Sequence, residues 1–205
     1  MNVLLKINGL SVAYETQLVI NNLSYEAGAG IHGIIGPNGC GKSTFLKTIA
    51  GILPTQQGQI VLKGIDLAIH TRAFKQCLCY VPDKPAVYPF MTGRQYLQMI
   101  ASVKKASMDT SLMEWIKNIR LMEYLDKPFS AMSFGTRRKF MLSAVLIASP
   151  TLLLLDEPFN GLDSHTKSAF STYLQGVQNK ACILIASHGL EDENVNLASQ
   201  LSFEH

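Results

Sequence analysis

The chain has no run of about 18 consecutive apolar residues, the length that a bilayer-spanning helix needs. Its first residues, MNVLLKINGL, also lack the basic leader, long apolar core and cleavage site of a secretory signal. It is therefore expected neither to span a membrane nor to leave the cytosol by itself. Charge is sparse, with 16% Asp, Glu, Lys and Arg and a formal net charge of +3. The one short basic run, Arg137, Arg138 and Lys139, reads as a solvated helix face, and nothing forms the basic stripe that a nucleic acid would demand. There are only four cysteines. Cys77 and Cys79, in a strand-like run, make a lone C-x-C without the second ligand pair of a zinc site. Cys40 and Cys182 stand alone, so all four read as small, largely buried side chains. Internal repeats and low-complexity segments are missing.

What the chain does have is 205 residues at 47% hydrophobic content, enough for one sizeable core or one domain with an inserted lobe. Its most informative stretch is GPNGCGKST, residues 36 to 44. Gly36, Gly39 and Gly41 remove every Cβ that would hold a bulky anion off the backbone and permit positive φ. The apolar run IHGII precedes the loop, and KSTFLKTIAG follows it with Phe45, Leu46, Ile49 and Ile52 at helical spacing and Gly51 near the end. Strand, loop and helix in that order aim unpaired N–H groups and a partial positive charge at the loop, where phosphate is the natural guest. The pattern G-x-x-x-x-G-K-[ST] is complete from Gly36 to Ser43, a P-loop in which Pro37, Asn38, Cys40 and Thr44 complete the cradle. Lys42 is expected to reach the β/γ-phosphates of a nucleotide and Ser43 to ligate Mg²⁺.

Around this loop the first thirty residues alternate as antiparallel strands, with a polar turn at Glu15 and Thr16. PTQQGQIVLKGIDL reads as a further turn and strand pair, and QCLCYVPD as a short strand stopped by Pro82. From Pro85 to about Ser130 apolar residues fall at helical intervals, a helical insert. MSFGTRRKFMLSAVLIASP then reads as one long helix, TLLLLDEP as a buried strand, Ser164 to Val177 as a helix and ACILIAS as a strand, with a short tail beyond. Strands alternating with helices after a P-loop imply a mostly parallel α/β core.

Two carboxylates follow the strand LLLL directly, and in an open parallel sheet the crevice beyond the strand ends is where ligands bind. Asp156 is placed to hold Mg²⁺, and Glu157, one residue later, to orient and deprotonate a water attacking a γ-phosphate. His188 ends the next apolar strand, where it can donate a hydrogen bond to that phosphate and water.

Taken together these residues resemble the nucleotide-binding subunit of ATP-binding cassette (ABC) transporters, over nearly the whole chain. The order carries the resemblance. Tyr14 stands where the family's A-loop aromatic stacks on adenine, followed by Gly36 to Thr44, YVPD ending in Asp83, MSFGTRRK as the signature region, Asp156 and Glu157, NGLD with Asp163 as the D-loop, and His188 as the switch histidine. The resemblance implies a P-loop NTPase (RecA-like) core with an N-terminal antiparallel β subdomain and an inserted α-helical subdomain. Residues 1–84 and 150–205 would form the core and 85–149 the insert with the signature. It implies a cytoplasmic, membrane-peripheral ATPase with ATP and Mg²⁺ as cofactors. Transmembrane permease subunits would be its partners, with a second copy of itself or a homologous ATPase. Each ATP would lie between Lys42, Ser43, Glu157 and His188 of one chain and Ser133 and Gly135 of the other.

Two positions depart from the family pattern. Met132, Ser133, Phe134, Gly135 and Thr136 stand where Leu-Ser-Gly-Gly-Gln is usual, keeping the Ser and second Gly that contact the γ-phosphate. Asp83 replaces the Q-loop glutamine that touches Mg²⁺ and the attacking water and senses the membrane subunit. With VPDKPAVYPFMTGRQYL, Asp83 is similar to the branch serving ABC-2-type exporters. The chain stops about seventeen residues after His188 and has one P-loop, so no appended regulatory domain and no fused second cassette are expected. A DNA- or ribosome-associated cassette protein would need coiled-coil arms, tandem cassettes or a basic stripe. A regulatory, hydrolysis-poor subunit is argued against by Glu157 and His188 and kept open by Asp83 and Phe134.

Overall fold

The structure, a computed structural model, describes residues 2–14, 17–188 and 195–203, with Tyr14 by its backbone alone. Strands β1 (Leu5–Tyr14), β2 (Gln17–Ala27), β4 (Gln57–Leu62) and the two-residue β5 (Ile65–Asp66) form an antiparallel sheet ordered β2-β1-β4-β5. The polar turn expected at Glu15 and Thr16 lies outside the described residues. A second sheet, wholly parallel, runs β6-β7-β8-β3-β9, built from β3 (Gly30–Ile35), β6 (Leu78–Val81), β7 (Leu152–Asp156), β8 (Cys182–Ala186) and β9 (Ser199–Ser202). This is the mixed α/β architecture of a P-loop NTPase core.

The parallel sheet is buried on both faces, which is why its strands read as continuous apolar runs. Their period-two alternation divides the core in two. Leu153, Leu155, Ile183 and Ile185 face Leu97, Phe129, Phe140, Phe170 and Leu174, contributed largely by helices α3 (Gly93–Lys104), α5 (Phe134–Ala148) and α6 (Ser164–Val177). Leu152, Leu154, Leu184 and Ala186 face the other way, onto Leu5, Ile7 and Ile20 of the antiparallel sheet. There they also meet Phe45 and Ile49 of α1 (Lys42–Ile49) and Phe74 of α2 (Thr71–Cys77). Each such side chain contributes about 1.5–3 kcal/mol on burial. Helix α4 (Thr110–Asn118) precedes α5 and sends Trp115 Nε1 to Ser143 Oγ of α5 at 2.9 Å.

Four expectations are corrected. Ile52 is not part of the α1 face: the helix ends at Ile49, Gly51 turns the chain at φ 64, and Ile52 is left 57% exposed. Cys77 ends α2 instead of lying in a strand; this seven-residue helix buries only Phe74, so no apolar period announces it. The tail contributes β9, an edge strand with polar exposed residues, paired to β3. Finally, Arg138 is not on a solvated face. It is fully buried, because it falls on the same stripe of α5 as Met141, Leu142 and Val145.

Candidate nucleotide-binding site

Every strand that carries a candidate residue delivers it at its carboxyl end. The loop after β3 holds Gly36 to Gly41, the segment after β6 holds Asp83, Asp156 and Glu157 end β7, and His188 follows β8. They meet in a pocket of about 230 Å³ lined by Asn38, Gly39, Gly41, Lys42, Ser43 and Thr44 on one side and Asp83, Asp156, Glu157 and His188 on the other.

The loop has the geometry its glycines suggest. Gly36, Gly39 and Gly41 sit at φ 148, 82 and 107, and a Cβ on Gly36 would come within 2.4 Å of the Phe203 carbonyl and 2.8 Å of Cys40 Sγ. Gly36, Pro37 and Cys40 thus shape the loop from behind. Lys42, 7% exposed, donates to the carbonyls of Gly36 at 2.6 Å and Pro37 at 2.9 Å, so its ammonium is held across the loop. Helix α1 starts at Gly41 with no side-chain cap and no acid in its first turn. Its leading amides and positive end are left for an anion.

Asp156, 3% exposed, accepts from Ser43 Oγ at 3.0 Å and from the Tyr80 hydroxyl at 3.4 Å. Burial pushes its carboxyl up, against the Ser43 hydrogen bond, which pulls it down. Burial and the Asp156 charge likewise push the Tyr80 phenol up. Among the described residues no group of three or more His, Cys, Asp and Glu forms a metal cage. A buried carboxylate beside a serine hydroxyl, facing a phosphate cradle, fits the needs of Mg²⁺, which takes one or two protein oxygens together with substrate phosphates.

Glu157 adopts φ 47, a left-handed conformation unusual for a side chain of this size. Its N–H donates to the Ala186 carbonyl at 2.8 Å, and its carboxylate turns back into the pocket to within 3.4 Å of His188 Nε2. Asp83 accepts a long contact from Asn160 Nδ2 at 3.5 Å. Behind the pocket lies a residue that sequence reasoning missed. The Arg138 guanidinium donates to the carbonyls of Pro82, Asp83, Asp156 and Glu157, at 2.8 Å for Asp156. Its signal was its register with Met141, Leu142 and Val145, hidden by its place in a basic run.

Ser133, Gly135 and Asp163 do not line this pocket. Ser133 caps α5, accepting the Thr136 amide at 3.1 Å, and is exposed. Gly135 lies where a Cβ would meet the Gly161 carbonyl at 2.5 Å, and the ring of Phe134 rests against Gly161. The bulky signature residue therefore packs on the NGLD segment of the same chain. Asp163 caps α6 through Thr166 and pairs with Lys139 at 2.6 Å. Although partial burial works the other way, the hydrogen bonds from Lys139 and Thr166 hold its carboxyl well below the usual range. The side chain of Tyr14 lies outside the described residues.

A larger hollow of about 390 Å³ beside Leu53, Gln59, Ile60, Asp66 and Leu67 shows no comparable convergence, since Asp66 is already satisfied by Gln59 and the amides of Ala68 and Ile69.

The sequence profile of the ABC transporter family matches residues 20–160, a span from mid-β2 through the P-loop, Asp156 and Glu157. The chain belongs to the ABC transporter family. Among its relatives, the glucosylceramide transporter ABCA12 of Mus musculus is 31% identical over 182 residues, 85% of this chain but 7% of that protein. The ABC-type transporter ATP-binding protein EcsA of Bacillus subtilis (strain 168) is 29% identical over 190 residues, 90% of this chain and 77% of EcsA. A solved ATP-binding subunit of an ABC transporter superposes with a TM-score of 0.89 at 26% identity, over 98% of this chain and 86% of that one. The fold is thus that of the family's ATP-binding component. Among the described residues no helix is long and apolar enough to cross a membrane.

Proposed function

We propose that this chain hydrolyses Mg·ATP at the pocket between the P-loop and the ends of β7 and β8. It would do so as a dimer whose closing and opening drives transmembrane permease subunits on the cytoplasmic face of a membrane. The observation that carries the reading is the convergence of Lys42, Ser43, Asp156, Glu157 and His188 on one pocket from three separate strand ends.

The loop amides and the uncapped start of α1 bind the phosphates, and Lys42 adds a charge-assisted hydrogen bond. Ser43 and Asp156, with Asp83 nearby, would hold Mg²⁺, which would supply positive charge against the phosphates. Glu157 accepts a proton from the water whose oxygen attacks the γ-phosphorus, while the bond to the bridging oxygen breaks and ADP leaves. His188 fixes the Glu157 carboxylate and reaches the same water. Ser133 and Gly135 are presented at the exposed start of α5, away from their own pocket. That placement supports their acting on the nucleotide of a second subunit, with Asp163 and the Phe134–Gly161 contact bordering the junction. Tyr14 would stack on the base. Residues 85–149 form the helical lobe that answers to the membrane partner.

Export is the direction we infer, from Asp83 and the segment that follows it. Purified chain should bind and hydrolyse ATP in a Mg²⁺-dependent way, and ATP should shift it from monomer to dimer in light scattering. A chain that stays monomeric and inactive with ATP, both alone and with the membrane protein encoded beside it, would overturn the reading.

A further inference from the structure

Two loops of the pocket are tied together by a side chain that never enters it. Pro82 and Asp83 leave β6, Asp156 and Glu157 leave the adjacent parallel strand β7, and the carbonyls of all four accept from the one Arg138 guanidinium. One terminal nitrogen serves the first pair and the other nitrogen the second pair. A planar fork of fixed geometry can hold two backbone segments at a set spacing, as a lysine ammonium cannot. Arg138 is 0% exposed, and its Nε has no partner among the described residues. Burying a cation with one donor unmet is costly, and a packing role alone would be served better by an apolar residue on this stripe of α5.

The Glu157 peptide explains what is gained. A non-glycine residue at φ 47 persists only where its surroundings over-determine it. Here its N–H is fixed to Ala186 at the end of β8 and its carbonyl to Arg138, so both sides of the residue are anchored. Arg138 also stands five positions after Ser133, the cap that opens α5. Arg138 therefore links the first turns of that helix to the backbone that carries the Glu157 carboxylate.

We propose that Arg138 is a positioning residue for hydrolysis, setting the backbone of Glu157 and Asp83 relative to the signature helix. The proposal rests on Glu157 being the base. The full chain carrying Arg138→Lys, Arg138→Gln or Glu157→Gln, and the double variant Arg138→Gln/Glu157→Gln, would be compared for ATP affinity, kcat, KM and melting temperature. Displacement of a reacting group by about 1 Å costs about 100-fold. Accordingly Arg138→Gln should lower kcat by about 10- to 100-fold with ATP affinity within about threefold of wild type, and Arg138→Lys should lie between. The double variant should be no slower than Glu157→Gln alone, because a misplaced base and an absent base are the same defect.

Unchanged kcat in Arg138→Gln, or losses that multiply in full in the double variant, would overturn the proposal. So would losses of binding and turnover that track the melting temperature in both Arg138→Lys and Arg138→Gln, since that is a purely structural role. If Glu157→Gln alone hydrolyses ATP normally, the base assignment fails on its own account, whatever the Arg138 variants do.

Discussion

His188 Nε2 stands 3.4 Å from Glu157 Oε1, a half-exposed imidazole laid over a carboxylate that is only 15% exposed. The pair joins the end of β8 to the end of β7 across the mouth of the pocket. A carboxylate held this way can take a proton from a water yet stay oriented by its neighbour. Glu157→Gln keeps the shape and removes the base. It should bind ATP nearly as wild type, lose about 10²- to 10⁴-fold in hydrolysis, and accumulate as an ATP-bound dimer. Single-turnover hydrolysis and light scattering with ATP check both halves, and near-normal turnover would remove Glu157 from the mechanism.

Lys42 spans its own loop through the Gly36 and Pro37 carbonyls, so its removal strips both a charge and a brace. A charge-assisted hydrogen bond contributes about 1.5–3 kcal/mol. Lys42→Ala should therefore weaken ATP binding by at least about tenfold and abolish measurable turnover. Binding of labelled ATP at wild-type affinity with turnover intact would count against the assignment of the P-loop.

The contrast between Lys42 and Arg138 shows what a sequence makes legible. The P-loop is contiguous: its glycines, lysine and serine lie within eight positions, so the cradle reads directly. Asp156, Glu157 and His188 were legible because each follows an all-apolar strand, and buried parallel strands end where ligands bind. Arg138 belongs to the same site but acts on carbonyls contributed from positions 82, 83, 156 and 157, and no local pattern records an acceptor that every residue possesses. Strand β9 escaped for a related reason, since an edge strand with polar exposed residues carries no apolar alternation. Helix α2 has a single buried side chain and hence no period to detect.

His32 offers a pH test of the same sheet. It is 5% exposed in β3, with Nδ1 2.8 Å from Ser199 Oγ of β9 and Nε2 3.2 Å from the Gly28 carbonyl. Burial holds its imidazole below the ordinary value of 6.5, against the Gly28 contact, which raises it. The unfolded chain therefore takes up a proton that the folded chain resists. The stability from this group is complete above pH 6.5 and is lost as pH falls below it. The melting temperature should drop by about 2–4 °C for each kcal/mol lost on acidification. His32→Gln should flatten that slope between pH 6.5 and lower values, and parallel slopes in the two proteins would assign the acid sensitivity elsewhere.

Asp83 places a third carboxylate in a pocket that already holds Asp156 and Glu157. At about 6 Å from a phosphate oxygen it would repel by roughly 3 kcal/mol at an effective dielectric near 20. A cation between them reverses that sign. Asp83 should therefore couple to Mg²⁺ more strongly than a neutral residue would. Asp83→Asn should weaken the Mg²⁺ dependence of turnover while leaving ATP binding largely intact. Asp83→Gln, the residue usual in the family, should retain more activity than Asp83→Ala, because the amide can still reach the metal and the attacking water. Titrating Mg²⁺ against hydrolysis for the three variants with the membrane partner present decides it. Three superimposable curves would make Asp83 an ordinary loop acid and move the sensing role elsewhere between Val81 and Tyr88.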